Sequence, residues 1–228
     1  MVNIKEAILA ALSVIDRAGI DALITWLKGS DFFTAPASTN FHGNYEGGLA
    51  EHSWNVYDLL IKKNEHFQTQ YLTDTLAICG LLHDLCKVGI YKIASDPATD
   101  AQLARLEKEC RKFKHKFPTF LDKQYASDLI GWYVSGAEGQ RPEYQQTYKV
   151  EDDFPVGHGE KSVILAQQFI TLSSEEILAI RWHMAAFDAG IHFNFPSGFA
   201  FRNASNNIPL VTMLFTADTE ASNIIEAK

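Results

Sequence analysis

The chain has 228 residues, 46% of them apolar, and carries 20 Lys and Arg against 28 Asp and Glu for a net charge of −8. That is enough apolar chain for one substantial core, or a domain plus an insertion, and too little for two average independent domains; general disorder is excluded. The acidic balance argues against a protein held on nucleic acid or an anionic membrane by bulk electrostatics, although a local basic patch could do so.

Cys79, Cys86 and Cys110 make an odd count without a CxxC pair. Reduced thiols in the cytosol are therefore expected, not a disulfide framework or a zinc knuckle. The longest apolar stretch, 208–215, falls far short of the roughly 20 residues of a membrane span. The N-terminus carries an acidic residue early and runs into an amphipathic pattern, unlike a signal peptide. The expectation is a soluble, cytoplasmic protein that does not enter a membrane.

In chain order, Ile4, Ile8, Leu9, Leu12 and Ile15 recur at helical spacing, with Asn3 as N-cap and Gly19 as stop. Asp21 can cap a second short helix that ends at Gly29. Residues 30–48 read as a long loop, with Pro36 and several glycines. Helical periodicity returns over 49–67, and 71–88 reads as a further apolar helix closed by Gly89. The composition changes between 96 and 139, which reads as an insertion holding a charged helical run and a second helix over 121–134. The polar and β-branched alternation of 144–156 suits a short hairpin or extended segment. Helices are expected again over 159–170, over 173–184 with Ser173 or Ser174 as cap, and over 210–225. The stretch 185–209, with His192, Phe193, Phe195, Phe199, Phe201 and Arg202, reads as irregular and aromatic-rich. The fold class is all-α, a helical bundle in a single domain spanning 1–228 with 96–139 inserted.

The histidines and certain aspartates carry the chemistry. His52 lies in GGLAEHS, His83 and Asp84 are adjacent in GLLHDLCKVG, His158 opens GHGEKS, His183 lies in RWHM, and Asp218 lies in TADTEAS within the last apolar helix. A charged Asp buried unpaired in an apolar run costs several kcal/mol, so Asp84 and Asp218 each need a cation or a set of donors. Imidazoles and carboxylates together suit a divalent metal such as Mn²⁺, Fe²⁺, Co²⁺, Ni²⁺ or Zn²⁺. A single histidine on an apolar face is more often a satisfied core residue. It is the ordered set that points to a site.

This set resembles the signature of the HD superfamily of metal-dependent phosphohydrolases. The resemblance rests on the pair His83-Asp84 followed by Lys87, on His52 upstream and Asp218 downstream, and on His158 and His183, which resemble the two extra histidines of the binuclear branch. Resembling segments run from about His42 to Ala221, and the GGLAEHS segment is most similar to the hydrolase domain of YhaM-type 3′→5′ exoribonucleases. The resemblance implies an HD-domain helical bundle in which His52, His83, Asp84 and Asp218 hold one ion, with Asp84 bridging to a second held by His158 and His183. The ions implied are Mn, Fe, Co, Ni, Zn or Mg, used to hydrolyse a phosphate ester of a nucleotide or nucleic-acid end through a metal-activated water. A mixed-valence di-iron oxygenase shares the same ligand order, and in a mononuclear nucleotidase His158 and His183 would serve instead as substrate contacts or structural residues.

Beside these, Lys87, four residues after His83, could contact a phosphate oxygen or a metal-bound carboxylate. His42 could line the pocket or serve as an acid to the leaving group, with Glu46 close by. Glu51 and Glu160 flank ligands and could orient imidazoles, or lie on solvated helix faces. Arg105 to Lys116 is the one basic concentration. It is either a solvated helix face or a phosphate-binding strip in which Arg111 and Lys112 contact substrate, with Phe113 and Phe117 available to stack. Arg181 is a third candidate substrate cation. Trp132, Tyr133 and Trp182 are core or pocket wall first and base-stacking surfaces second.

Overall fold

The computed structural model describes residues 3–39, 41–94, 96–119, 121–144, 146–185 and 196–227. Among them the chain is all-α, with ten α-helices and one two-stranded sheet. They form two compact units, Met1–Tyr91 with Val150–Lys228, and Lys92–Lys149, so the separate unit is wider than the segment 96–139 read from composition.

In the larger unit, Asn3 accepts a hydrogen bond from the Glu6 N–H and opens α1 (Ile4–Ser13). Gly19 does not stop that helix. It precedes α2 (Ile20–Gly29) in the left-handed region at φ 88°, and Asp21 stands in the first turn, not at the cap. A glycine is required there because an added Cβ would meet the Phe169 carbonyl oxygen at 1.9 Å. The long helix α3 (Gly48–Phe67) buries Leu49, His52, Ser53, Val56 and Leu60, a stripe at three- and four-residue spacing into which the histidine is built.

The next helix, α4 (Thr73–Leu82), is shorter than the 71–88 expected. Every residue from Leu76 to Lys87 is buried, so this is the central element of the core. Gly80 permits its close approach to α3: a Cβ there would fall 2.6 Å from the Tyr57 Cα. After Leu82 the backbone leaves the helix, with Asp84 at φ −105° and ψ 22°, and makes a single 3₁₀ turn over Leu85–Lys87.

The larger unit continues with α7 (His158–Gln167) and α8 (Ser174–Trp182), the latter opened by a capping box between Ser173 and Glu176, in agreement with the expected cap. The segment expected to be irregular holds a helix, α9 (Pro196–Asn207), which carries Phe199, Phe201 and Arg202; His192, Phe193 and Phe195 lie outside the described residues. Helix α10 (Pro209–Glu220) starts with proline at its first position, where the missing N–H costs nothing, and ends in a π turn over Ala221–Ile225. Helix α10 packs on α3 and α8, and α7 packs on α8.

In the smaller unit, α5 (Asp100–Phe113) begins at a Thr99–Gln102 capping box, and Asp122 caps α6 (Lys123–Val134). These two helices bury Leu106, Cys110, Ala126, Leu129 and Tyr133 between them. Of the short hairpin or extended segment expected over 144–156, the described residues form the extended alternative. Only Tyr148–Val150 is a strand (β2), and it pairs with Tyr91–Ile93 (β1), far upstream. No helix among the described residues is long and apolar enough to cross a membrane.

Candidate metal centre

Five helix segments of the larger unit deliver His52, His83, Asp84, His158, His183 and Asp218 to one place. His52 comes from the buried stripe of α3, His83 and Asp84 from the turn that ends α4, His158 from the first turn of α7, His183 from the end of α8, and Asp218 from α10. Gly159 lets α7 approach α8 at this point, since a Cβ would fall 2.3 Å from the Arg181 carbonyl oxygen. Neighbouring imidazole centroids along the series His52, His83, His183 and His158 are 5.2, 5.0 and 5.4 Å apart.

Asp84 is the centre of the arrangement. Its Oδ2 lies 3.6 Å from His52 Nε2 and 3.4 Å from His83 Nε2. Its Oδ1 lies 2.9 Å from His158 Nε2 and 3.4 Å from His183 Nε2. The two oxygens therefore address two different pairs of histidines. Because Asp84 is non-helical, this division arises from the turn, and not from neighbouring positions on a continuous helix over 71–88. Asp218 Oδ1 adds a contact of 3.1 Å to His52 Nε2.

The tautomers follow from the outer ring nitrogens. His83 Nδ1 is 2.9 Å from the Gly80 carbonyl, and His183 Nδ1 is 2.6 Å from the Ile180 carbonyl. In both cases the ring folds back on a carbonyl near a helix C-terminus, where such groups lack helical partners. His52 Nδ1 faces the Glu226 carboxylate at 3.1 and 3.2 Å. A carbonyl or carboxylate can only accept, so in each ring Nδ1 carries a proton and Nε2 is the atom turned inward, able to offer a lone pair to a cation once it is deprotonated.

Three Nε2 atoms and two carboxylates then face one another in a buried space. His52 Nε2 and His83 Nε2 are only 3.3 Å apart, and fully buried His183 Nε2 meets no partner at hydrogen-bonding geometry. A buried acceptor without a donor costs roughly 1–3 kcal/mol. The deficit is one of positive charge, and nitrogen with carboxylate oxygen is the donor set of a borderline divalent cation. Overlapping triads from this set, His52 with His83 and Asp84, His83 with His183 and Asp218, and Asp84 with His158 and His183, are each compact enough to hold an ion. The residues thus fit a metal.

The protonation equilibria carry the same message. Burial would raise Asp84, but Lys87 and the surrounding histidines hold it well below the carboxylate range; Asp218 is likewise depressed, against burial, by His52 first. Burial lowers His83 and keeps it neutral. On His52 burial also pulls down, yet Asp218 and Glu226 outweigh it and lift the imidazolium to about 9. Without a metal, a proton between His52 and Asp218 supplies positive charge where a cation otherwise would.

The remaining expected residues divide. Lys87 is brought in by the 3₁₀ turn, its Nζ 2.6 Å from Asp84 Oδ2, so its partner is Asp84 three residues before it. Burial opposes its charge, but Asp84 more than offsets this and raises its pKa. His42 lies half-buried with its ring centroid 4.9 Å from that of His52 and its Nε2 3.3 Å from the Ser222 hydroxyl. Arg181 lies over the Trp182 ring at 4.0 Å and pairs with Glu160. Arg111 and Lys112 belong to the smaller unit, where Arg111 pairs with Glu107 at 2.5 Å and Lys112 lies over the Phe113 ring at 4.9 Å. Glu51 accepts from the Tyr45 hydroxyl at 2.8 Å, so the hydrogen bonds described for Glu51 and Glu160 do not orient an imidazole.

The residue that does so, Glu226, is not among those that the sequence motifs single out, nor is its donor Asn55. The signal present is the spacing Asp218, Ser222, Glu226, four residues apart at the end of the last helix. Comparison with protein-family models, curated proteins and solved structures finds no match for this chain.

Proposed function

We propose that this chain is a metal-dependent phosphohydrolase of the HD type, acting on a phosphate ester of a nucleotide or a nucleic-acid end. The observation that carries the reading is Asp84, whose two oxygens face two separate pairs of inward-pointing histidines. His52, His83, Asp218 and Asp84 Oδ2 would hold one divalent cation, and His158, His183 and Asp84 Oδ1 a second. Two such cations would supply Lewis acidity toward phosphoryl oxygens and an acidified water.

The chain's own groups do the rest. The His83 and His183 rings are locked by backbone carbonyls, so their Nε2 atoms need no rearrangement to coordinate. Lys87 holds Asp84 in orientation and adds a fixed positive charge for a phosphoryl oxygen. His42, half-buried beside His52, is the group placed to exchange a proton with the leaving oxygen.

Purified protein supplied with Mn²⁺ should release p-nitrophenolate from bis-p-nitrophenyl phosphate, and His83→Ala or Asp84→Ala should reduce the rate by about a thousandfold or more. Activity that survives both substitutions overturns the assignment. So does inactivity with every divalent metal toward this ester and a panel of nucleotides and short RNA and DNA strands.

A donor set of four imidazoles and two carboxylates also suits iron, which favours a di-iron oxygenase as the second reading. Dioxygen consumption by iron-loaded protein in the presence of substrate, without phosphate-ester cleavage, would replace the hydrolase by the oxygenase. One bound ion per chain by mass spectrometry would replace the binuclear site by a mononuclear one.

A further inference from the structure

His52 is the one coordinating candidate of the three buried histidines whose outer nitrogen is not held by the backbone of its own helix. Its Nδ1 faces a carboxylate 174 positions away, Glu226, with both oxygens within 3.2 Å. That carboxylate is itself fixed, because Asn55 donates to Glu226 Oε1 at 2.9 Å from α3, three residues beyond His52. Glu226 reaches this position through the π turn that ends α10, closed by the bond from its own N–H to the Ala221 carbonyl at 2.9 Å. A π turn inserts an extra residue into a helical register and is found disproportionately at functional sites. The result is a clasp: Asp218 before the turn contacts His52 Nε2 at 3.1 Å, and Glu226 after it contacts Nδ1.

We propose that Glu226 is the positioning residue of the centre, the carboxylate that fixes the tautomer and ring orientation of His52 so that Nε2 is presented to a cation, with Asn55 holding the carboxylate in place. A histidine in the interior of a helix has the carbonyl three residues before it engaged in the helical ladder, so it lacks the device available to His83 and His183 at helix ends. An acceptor has to come from elsewhere in the chain. Carboxylate as acceptor also raises the basicity of the imidazole toward a metal, more than a neutral carbonyl does. Ser222, on the same turn, is within 3.4 Å of Asp218 Oδ1 and 3.3 Å of His42 Nε2, so one short segment tethers three residues of the centre.

The inference rests on the cluster holding a cation and does not depend on which reaction follows. The test uses the full chain and Zn²⁺ alone as probe, read in two ways: affinity by competition with a chromophoric chelator, and the ¹⁵N resonances of His52 in the Zn²⁺-loaded protein. Glu226→Ala should weaken Zn²⁺ binding by about 10–100-fold and remove the hydrogen-bonded Nδ1–H signature of His52. Glu226→Gln keeps an acceptor oxygen and should recover most of the affinity and that signature. Glu51→Gln, an acidic residue one position before His52 that pairs with Tyr45, should bind as the wild type does.

Wild-type affinity in Glu226→Ala, or an unchanged His52 spectrum in that variant, overturns the proposal while leaving the metal reading intact. Equal weakening in Glu226→Gln and Glu226→Ala overturns it in favour of a merely structural role for the charged turn. A wild-type chain that takes up no cation overturns the metal reading and this inference together.

Discussion

The smaller unit buries the Tyr133 ring with its hydroxyl 3.4 Å from Cys110 Sγ and 3.1 Å from His115 Nδ1, while Trp132 Nε1 donates to the Glu138 carbonyl at 2.9 Å. The Tyr133 hydroxyl thus has two partners, and the Trp132 N–H an acceptor, within the same unit. The larger unit has a closed network as well: Arg17 donates to both oxygens of buried Glu176 at 2.7 and 2.9 Å, and Thr75 adds a third bond at 3.1 Å. At the centre around Asp84 the balance fails, since inward-facing acceptors outnumber the donors that reach them. Burial alone therefore does not mark a functional cluster. What marks it is a surplus of one hydrogen-bonding sense, which only an added cation or proton can cancel.

The largest expected effect breaks the comparison at the open cluster. Each ion held at a hundred times its dissociation constant stabilises the fold by about 2.7 kcal/mol, so removing two by chelation should lower the melting temperature of the metal-loaded wild type by roughly 10–20 °C. Asp84→Ala should bind neither ion and respond to chelator by no measurable shift. A wild-type transition indifferent to EDTA, in protein first shown to carry metal, would place the centre among the closed networks.

The next effect concerns the Arg17–Glu176 pair. Glu176→Gln removes the charge from a fully buried partner and should cost about 2–4 kcal/mol in denaturant unfolding. Burial alone would raise the Glu176 carboxyl, but the Arg17 hydrogen bonds outweigh it and depress its pKa below the ordinary 4.5. A depressed folded value means that the stabilisation is present above about pH 4.5 and is lost as pH falls through the lower folded value. Unfolding measured from pH 7 to pH 3 should show the wild type losing this increment and the variant lacking it throughout.

The smallest effect belongs to the smaller unit. Tyr133→Phe removes one hydroxyl from a network in which Cys110 Sγ keeps the Lys116 carbonyl at 3.9 Å, and should cost about 1 kcal/mol. Its response to chelator should equal that of the wild type. A variant that loses metal sensitivity would show that the two kinds of network are not separate.

Much of the helical framework is legible in the amino-acid sequence. The caps at Asn3 and Ser173 and the buried stripe of α3 follow from local chemistry, since a cap needs one side chain near one N–H and a stripe needs only the helical period. The lengths of α4 and α9 are not legible. Apolar continuity across Leu82 hides a turn that hydrophobic periodicity cannot register, and the Gly and Asn content of 196–207 obscures its helical pattern.

The site divides in the same way. The six residues resembling a ligand set are visible in chain order, because each sits in a short distinctive segment. Lys87 is visible too, as a cation within reach of a carboxylate of the cluster, and the 3₁₀ turn makes that carboxylate Asp84, three residues before it. Glu51 stands one position before His52 and Glu160 two positions after His158, so both suggest themselves as outer acceptors, but helix positions one or two apart point about 100° or 200° apart and do not face each other.

By itself, then, the sequence determined an all-α chain, the helix caps at Asn3 and Ser173 and the identity of the side chains available for coordination. Those depend on interactions within a few residues. Only the tertiary structure decided that Asp84 divides its two oxygens between two histidine pairs, that three Nε2 atoms turn inward, and that Glu226 rather than a nearer acid holds His52. Such contacts join positions up to 174 residues apart, and they exist because α3, α4, α7, α8 and α10 bury their apolar faces together and carry the polar groups with them.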